Sequence, residues 1–191
     1  NTNLTGKYNI ADGGYHLSIA DLVTKNFKIE PGSYVTWTGD IMDAYTDIRA
    51  IYTIKTSPVD LLESRLAGLD EIQKNKYRNL VTFLVYLKMS GFIATPVVSF
   101  DIQLPVDEKG VMNGTVNSRL NELRTDETEL NKQVFALLTL NRFIGEDPLQ
   151  SGGAPTTLSS TSRRSASRLL TQQLNALSAK YIKGVDLNLG V

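Results

Sequence analysis

The sequence predicts a mainly β fold that also carries about three amphipathic helices. Three observations support this fold class. Apolar and polar residues alternate with a period of two, between turn residues, over most of residues 1–105. The spacing of apolar residues then changes to three and four, which is helical. A segment rich in Gly, Ser, Pro and Thr at 145–160 separates the second and third predicted helices.

The first 57 residues are predicted to form several strands. Pro31-Gly32 and Gly39-Asp40 supply turns between them, and Pro58 ends the last of these strands because proline cannot donate to a strand ladder. Each strand-like segment places its larger apolar side chains on one face. In chain order these are Tyr15, Leu17 and Ile19, then Val35 and Trp37, then Ile48, Ala50, Tyr52 and Ile54.

Residues 59–79 are predicted to be a loop with one helical turn, since Gly68 and a run of charges weaken a longer helix. Two long strand-like segments follow, at 80–93 and 97–104, and a connection containing Gly and Pro favours their antiparallel pairing. Their apolar faces include Val81, Phe83 and Val85 on the first segment, and Val98, Phe100, Ile102 and Leu104 on the second.

Helical spacing begins after the second segment. The first helix is predicted from apolar residues at i, i+4 and i+7, namely Val116, Leu120 and Leu123. Asp126, with Glu129 three residues later, predicts a capping box for a second helix, and Gly145 is expected to end that helix. The apolar stripe of the second helix consists of Leu130, Val134, Leu137 and Leu138.

The predicted elements divide the chain into four segments, which together are expected to form one domain. These are a β-rich sheet at 1–105, a helical segment at 106–144, a flexible linker at 145–160, and an amphipathic helix with a closing strand at 161–191. The chain begins with Asn1 in a strand-like segment. We therefore expect a fragment of a longer protein, with any targeting segment outside it.

Composition excludes several classes of function. Lys+Arg and Asp+Glu number 20 each, so the net charge is zero and no overall field favours nucleic acid. The chain contains no Cys and one His, which argues against thiolate metal sites and Ser-His-Asp triads. No phosphate-binding or hydrolase motif is present in the sequence. We expect neither an enzyme nor a cofactor.

The apolar strand faces are the strongest physical signal in the sequence. In a closed β-sandwich such a face packs against a second sheet, and the domain would serve as a scaffold or interaction module. In an open groove the same face would bind an apolar ligand along its length. Periodicity alone favours the sandwich but leaves both alternatives open.

Three sequence blocks resemble one protein family. The first is GSYVTWTGD (32–40), followed by Ala50-Ile51-Tyr52 and Thr56-Ser57. The second is TPVVSFDIQLP (95–105), and the third is DETELNKQVFALLTLNRFI (126–144). Together, and in this order, they resemble the C-terminal region of the TamB family, particularly its Bacteroidetes-type members. The last helix and VDLNLGV (185–191) are also similar to the end of that region.

The resemblance implies a periplasmic segment of a long envelope protein that is anchored in the inner membrane outside this fragment. It implies a curved, taco-like β-sheet with an apolar groove and a TamA-like outer-membrane barrel protein as partner. The expected cargo is phospholipid or unfolded outer-membrane protein, and partner-binding residues are expected beyond Val191. Exposed strand edges would also offer a template for a client strand.

On this view the apolar strand faces line the groove, taking the more apolar face of each strand. The expected lining residues are Tyr15, Leu17, Ile19, Val35, Trp37, Ile48, Ala50, Tyr52, Ile54, Val81, Phe83, Val85, Val98, Phe100, Ile102 and Leu104. Leu130, Val134, Leu137 and Leu138 of the second helix would cover one end as a plug or movable lid. A helix packed permanently as core is the alternative.

Overall fold

The computed structural model describes residues 3–19 and 23–145. Its strands are β1 Asn3–Ile10, β2 Gly14–Ile19, β3 Val23–Ile29, β4 Ser33–Asp40, β5 Tyr45–Thr56, β6 Val81–Phe92 and β7 Val97–Gln103. Its α-helices are α1 Glu63–Leu66, α2 Glu71–Asn75, α3 Thr115–Leu123 and α4 Glu127–Leu140. Short 3-10 turns lie at 41–43, 76–78, 106–108 and 111–114.

All seven described strands belong to one antiparallel sheet. β3 and β4 lie end to end along one side of β5, and β6 and then β7 extend the sheet on the other side. β2 pairs with β3, and β1 pairs with β4, so these two strands also lie end to end at the outside of the sheet. The prediction of a mainly β, open antiparallel fold is confirmed, and it is consistent with a curved, taco-like sheet.

Two interruptions lie side by side in the strands on this side of β5. The break at 11–13 separates β1 from β2, and the break at 30–32 separates β3 from β4. The Ile29 N–H donates to the Gly13 carbonyl at 2.9 Å, which joins the two breaks. The Ser33 hydroxyl donates to the Glu30 carbonyl at 2.8 Å and accepts from the Arg49 N–H at 3.0 Å, so β5 stays bonded across the gap.

The two faces of the sheet differ in their partners. We call the face that carries Ala50 and Phe83 the inner face, because this face packs into the core that α3 and α4 complete, and we call the opposite face the outer face. α4 lies against β3 and β7, and α3 lies against β7. The predicted helical spacing of α3 is confirmed, since Val116, Leu120 and Leu123 are all buried.

The N-terminus of α4 differs from the predicted capping box. The Asp126 carboxylate accepts from the Glu129 N–H at 3.1 Å, as expected of an N-cap. The reciprocal bond is absent, because the Asp126 N–H donates to the Leu123 carbonyl. The Glu129 carboxylate accepts instead from Lys132 and Gln133. The Asp126 N–H, which a capping box would bond to the Glu129 side chain, is therefore bonded within the short α3–α4 connection.

The prediction that Gly145 ends this helix is wrong. α4 ends at Leu140, and Asn141 follows in the left-handed conformation with φ 57° and ψ 28°. Asparagine is one of the few residues other than glycine that adopts this conformation readily. The predicted linker beyond Gly145, the third helix and the closing strand lie outside the described residues, so the four-segment division remains a prediction.

The five residues after α4 fold back against the helix. The side-chain amide of Gln133 donates to the Ile144 carbonyl at 2.7 Å, and its oxygen accepts from the Ile144 N–H at 3.1 Å. Gln133 is itself buried, so this pairing satisfies polar groups that water cannot reach. Phe143 is fully buried, and its ring meets the edge of Phe83 with centroids 4.8 Å apart.

Candidate ligand-binding groove on the inner face

The strand register places the predicted lining residues on one face of the sheet, apart from Leu104, which follows the end of β7. Side chains that lie directly opposite in an antiparallel pair share a face. Val35 lies opposite Thr46 and Tyr52 lies opposite Val85, which joins β4, β5 and β6 on the inner face. Ile19 occupies an inner-face register position in β2, and its side chain is outside the described residues.

One part of the inner face lies under the helices. We call it the covered half. Phe83 stacks edge-on against Phe143 there, and Tyr52 lies 5.7 Å from Phe27 between ring centroids. Its buried lining residues are Leu17, Ala50, Ile54, Val81, Phe83, Val85, Ile102 and Leu104. Five more pack partly buried against the same core, namely Tyr15, Ile48, Tyr52, Val98 and Phe100. These side chains contact protein rather than an empty groove.

The remaining part of the inner face belongs to β1 and β4. We call it the open half. Val35 and Trp37 are half-buried and lie outside the hydrophobic core that the described helices complete. The Trp37 indole N–H donates to the Ile41 carbonyl at 3.3 Å, which orients the ring at the end of β4. The structure thus separates these two residues from the other predicted lining residues.

Two inner-face residues of β1 were not among the lining residues predicted from the sequence. Leu4 and Tyr8 share the inner face, since Tyr8 lies opposite Val35 and Leu4 lies opposite Gly39. They are 42% and 63% exposed, which makes them the most accessible apolar side chains of the open half. In the sequence, Leu4, Tyr8 and Ile10 alternate with Thr5, Lys7 and Asn9, and this alternation could have predicted their place on the inner face.

Lys25 places a charge on the inner face at the end of α4. Its ammonium donates to the Tyr52 hydroxyl at 3.1 Å and to the Asn141 side-chain oxygen at 2.9 Å. The ammonium also lies 5.1 Å from the Tyr52 ring centroid. A cation at a helix C-terminus is favourable because it meets the negative end of the helix dipole. Lys25 therefore ties β3 and β5 to the end of α4.

The predicted plug residues face the sheet. Leu130, Val134, Leu137 and Leu138 are all buried. The connection that includes Asp60 also packs near the end of α4, where burial raises the pKa of the Asp60 carboxyl and the nearby Arg142 lowers it. In the covered half, burial raises the pKa of the Tyr15 phenol. The helix and its following residues are thus held by apolar packing, hydrogen bonds and charge.

Within 3–19 and 23–145 no group of three or more His, Asp or Glu side chains is placed to hold a metal ion. In the same ranges no helix combines the length and the apolar character needed to span a bilayer.

On the outer face, burial raises the pKa of the Tyr86 phenol, with Glu30 and Asp101 adding to the effect.

Comparison with known proteins identifies the family. The family model of the TamB C-terminal domain matches residues 1–191, the whole chain. No curated protein and no solved structure matches the chain. Members of this family act as structural or transport modules in periplasmic segments of envelope proteins, in outer-membrane assembly or transport, and work with TamA-like partners. The chain therefore belongs to the TamB family, as its C-terminal domain.

Proposed function

We propose that the open half of the inner face is a groove that shields apolar cargo in the periplasm. The cargo is the acyl chains of phospholipids or the strands of unfolded outer-membrane proteins, so the domain supports phospholipid transport, outer-membrane protein assembly, or both. It acts within an inner-membrane-anchored protein beside a TamA-like barrel. One observation carries the proposal: the apolar inner face continues past the described helices to Val35, Trp37, Leu4 and Tyr8.

The driving force for such binding is removal of apolar surface from water. Each methylene group that leaves water contributes about 0.8 kcal/mol, so burial of about ten methylenes of an acyl chain supplies the roughly 8 kcal/mol of micromolar binding, and more are needed to offset the entropy lost on association. Leu4 and Tyr8 are exposed and offer this area without disturbing the core. No catalytic group and no cofactor is required.

Helix α4 serves in this proposal as a fixed plug that closes the covered half. Its buried stripe supports this role over a movable lid, because moving the helix away would expose four large apolar side chains. Two further contacts would also break as α4 and its following residues moved: Lys25 to Asn141, and Phe83 to Phe143. The cargo-binding surface is then the open half. The buried residues of the predicted lining set belong to the core that holds this surface in place.

A closed β-sandwich that acts only as a scaffold is the second candidate function. The seven described strands form a single sheet, so the described residues supply no second sheet to close such a sandwich. This arrangement favours the groove. A scaffold role without cargo remains testable because it predicts that no ligand contacts Trp37.

The test is site-specific photocrosslinking in living Gram-negative cells. A photoreactive amino acid replaces Trp37 on the inner face, and the matched control replaces its neighbour Thr38, which faces outward on the same strand. We expect phospholipid or outer-membrane protein adducts from position 37 and none from position 38. Equal labelling at both positions, or labelling at neither, would overturn the groove.

A second pair of variants separates cargo binding from folding. Val35→Arg places a charge in the open half, and Val85→Arg places the same charge in the fully buried part of the face. We expect Val35→Arg to abolish the cargo adducts formed from position 37, while the domain still melts cooperatively. Val85→Arg should unfold the domain, because an unpaired charge buried in apolar surroundings costs several kcal/mol.

A further inference from the structure

The middle of the outer face carries two basic side chains that lie directly opposite each other. Arg49 of β5 is the register partner of Lys88 of β6. The Arg49 N–H and C=O bond to residues on the other side of β5, so the two form a non-hydrogen-bonded pair. The Cα atoms of such pairs are about 4.5 Å apart, which brings the side chains close together. Like charges in this position destabilise a sheet.

No acidic side chain neutralises this pair in the part of the chain that the structure describes. Both cations are exposed, and neither has an Asp or Glu oxygen of a described residue within 4.0 Å. Asp101, which lies close by on β7, is already bonded to Arg124 at 2.7 Å. The repulsion between Arg49 and Lys88 is therefore uncompensated among the described residues.

Beyond Gly145 the chain offers few acidic residues that could neutralise the pair. Residues 148–185 contain no Asp or Glu. Glu146 and Asp147 directly follow Gly145, and the residue just before Gly145 is bonded to α4 on the inner face. Asp186 is a single carboxylate, which can neutralise only one of the two cations.

The two cations lie in a depression that also presents neutral hydrogen-bond donors. This depression has a volume of about 260 Å³, and Tyr86 and Ser99 line it together with Arg49 and Lys88. Burial and two nearby carboxylates raise the pKa of the Tyr86 phenol, so its hydroxyl keeps its proton at neutral pH. Positive charge and hydroxyl donors therefore face one small volume, which is the arrangement that an anion requires.

One acidic side chain, that of Glu30, lines the same depression. Glu30 follows β3, and its N–H donates to the Arg49 carbonyl at 2.8 Å, which holds it beside β5. Its carboxylate forms no ion pair with another described residue, yet it is close enough to raise the pKa of the Tyr86 phenol. Counting the described residues alone, the depression holds two unpaired cations and one unpaired carboxylate. A ligand complementary to these charges carries an anion with a cation beside it.

We propose that this outer-face depression binds a ligand that joins a phosphate group to an amine, with the phosphate between Arg49 and Lys88 and the amine beside Glu30. Proteins use guanidinium and ammonium groups to bind phosphate. A phosphate monoester carries a charge of about −1.5 to −2 at pH 7, so it relieves the repulsion between the two cations. The ligand is either a soluble phosphorylated amine or the headgroup of a membrane lipid. The site lies on the opposite face of the sheet from the groove and does not depend on it.

The first test is an NMR titration of the 191-residue chain with O-phosphoethanolamine and with inorganic phosphate, at low ionic strength. We expect phosphoethanolamine to shift the Lys88 amide and to bind about tenfold more tightly than phosphate, as one added ionic contact can supply. Lys88→Gln should weaken binding about tenfold or more. Lys55→Gln is the matched control, because Lys55 is exposed on the same face of β5 but lies opposite Thr82. Equal binding by the two variants would overturn the proposal.

Glu30→Gln tests the contact with the amine. We expect this variant to bind inorganic phosphate at least as well as the unchanged chain, because a repelling carboxylate is gone. Its preference for phosphoethanolamine should disappear. A preference that survives in Glu30→Gln would refute the placement of the amine beside Glu30.

The stability of Lys88→Gln separates a binding role from a structural one. In the absence of ligand, removing one of two opposed like charges should raise Tm by up to about 4 °C. A fall in Tm would show that Lys88 is already neutralised within the protein, as by Asp186, and would overturn the site.

A vesicle experiment identifies the source of the ligand. Flotation of the chain with phosphatidylethanolamine vesicles that is lost in Lys88→Gln and kept in Lys55→Gln would assign the site to a lipid headgroup. Binding of phosphoethanolamine without flotation would assign it to a soluble ligand. If neither probe in solution nor the vesicles bind in a way that depends on Lys88, the proposal is wrong.

Discussion

Replacing Phe143 by alanine tests whether α4 and its following residues are a fixed part of the fold. Phe143 is 0% exposed and meets Phe83 with ring centroids 4.8 Å apart. Truncating a fully buried phenylalanine costs about 3–5 kcal/mol, a range that includes part of the roughly 0.5–1.5 kcal/mol from the ring pair. This loss is a large share of the 5–15 kcal/mol that is typical of a domain, so we expect Phe143→Ala to be only marginally folded.

The assay is urea unfolding followed by circular dichroism, with a thermal melt in parallel. The loss of stability corresponds to a fall in Tm of roughly 6–20 °C for a domain of this size. Phe92→Ala is the matched control, because Phe92 also pairs edge-on with an aromatic ring, Tyr45, yet is 57% exposed. We expect the control to cost about 1 kcal/mol or less. If both variants lose equally little stability, the residues after α4 are not fixed in the core and a movable lid regains support.

Three further changes probe the same region and its surroundings. Gln133→Ala should cost about 1–3 kcal/mol, because it removes both hydrogen bonds to the half-buried Ile144 backbone, and the Ile144 amide should exchange much faster. Asp126→Ala should cost about 0.5–2 kcal/mol in urea unfolding through loss of the N-cap of α4, whereas Asp126→Asn should retain most of it. Because burial raises the folded-state pKa of Asp60, the unfolding free energy should fall as pH rises from about 4 through that raised pKa. Asp60→Asn should remove this fall, and the exposed Asp107→Asn should not.

The strands and their inward faces followed from local pattern. Alternation identified Ala50, Tyr52 and Ile54 as one face of β5 because a strand with one buried face must alternate its side chains. Which strands become neighbours depends on long-range pairing that periodicity does not encode. The end-to-end arrangement of β3 and β4 along β5 required the bridge from Ser33 to Arg49, 16 residues away.

The candidate site was less accessible to sequence reasoning than the fold. Alternation placed Phe83 and Trp37 on the same face, and only tertiary structure separates a residue beneath a helix from one beyond it. Gly145 looked like the end of α4 because glycine is the usual residue there, yet Asn141 adopts the left-handed conformation first and lies within reach of Lys25. Contacts between distant residues decided both outcomes.

The covered and open halves of the inner face have a consequence for how this domain changes over evolutionary time. Residues such as Phe83 and Leu137 hold the structure together, so substitutions there are removed by selection whatever the cargo. Leu4 and Tyr8 are 42% and 63% exposed and lie outside the core, so substitutions there cost less stability than substitutions in the core. Under the proposed function, one scaffold can in this way acquire a different cargo preference without refolding. Sequence divergence among relatives should therefore concentrate on the inner face of β1 and β4, while the face beneath α4 stays nearly constant.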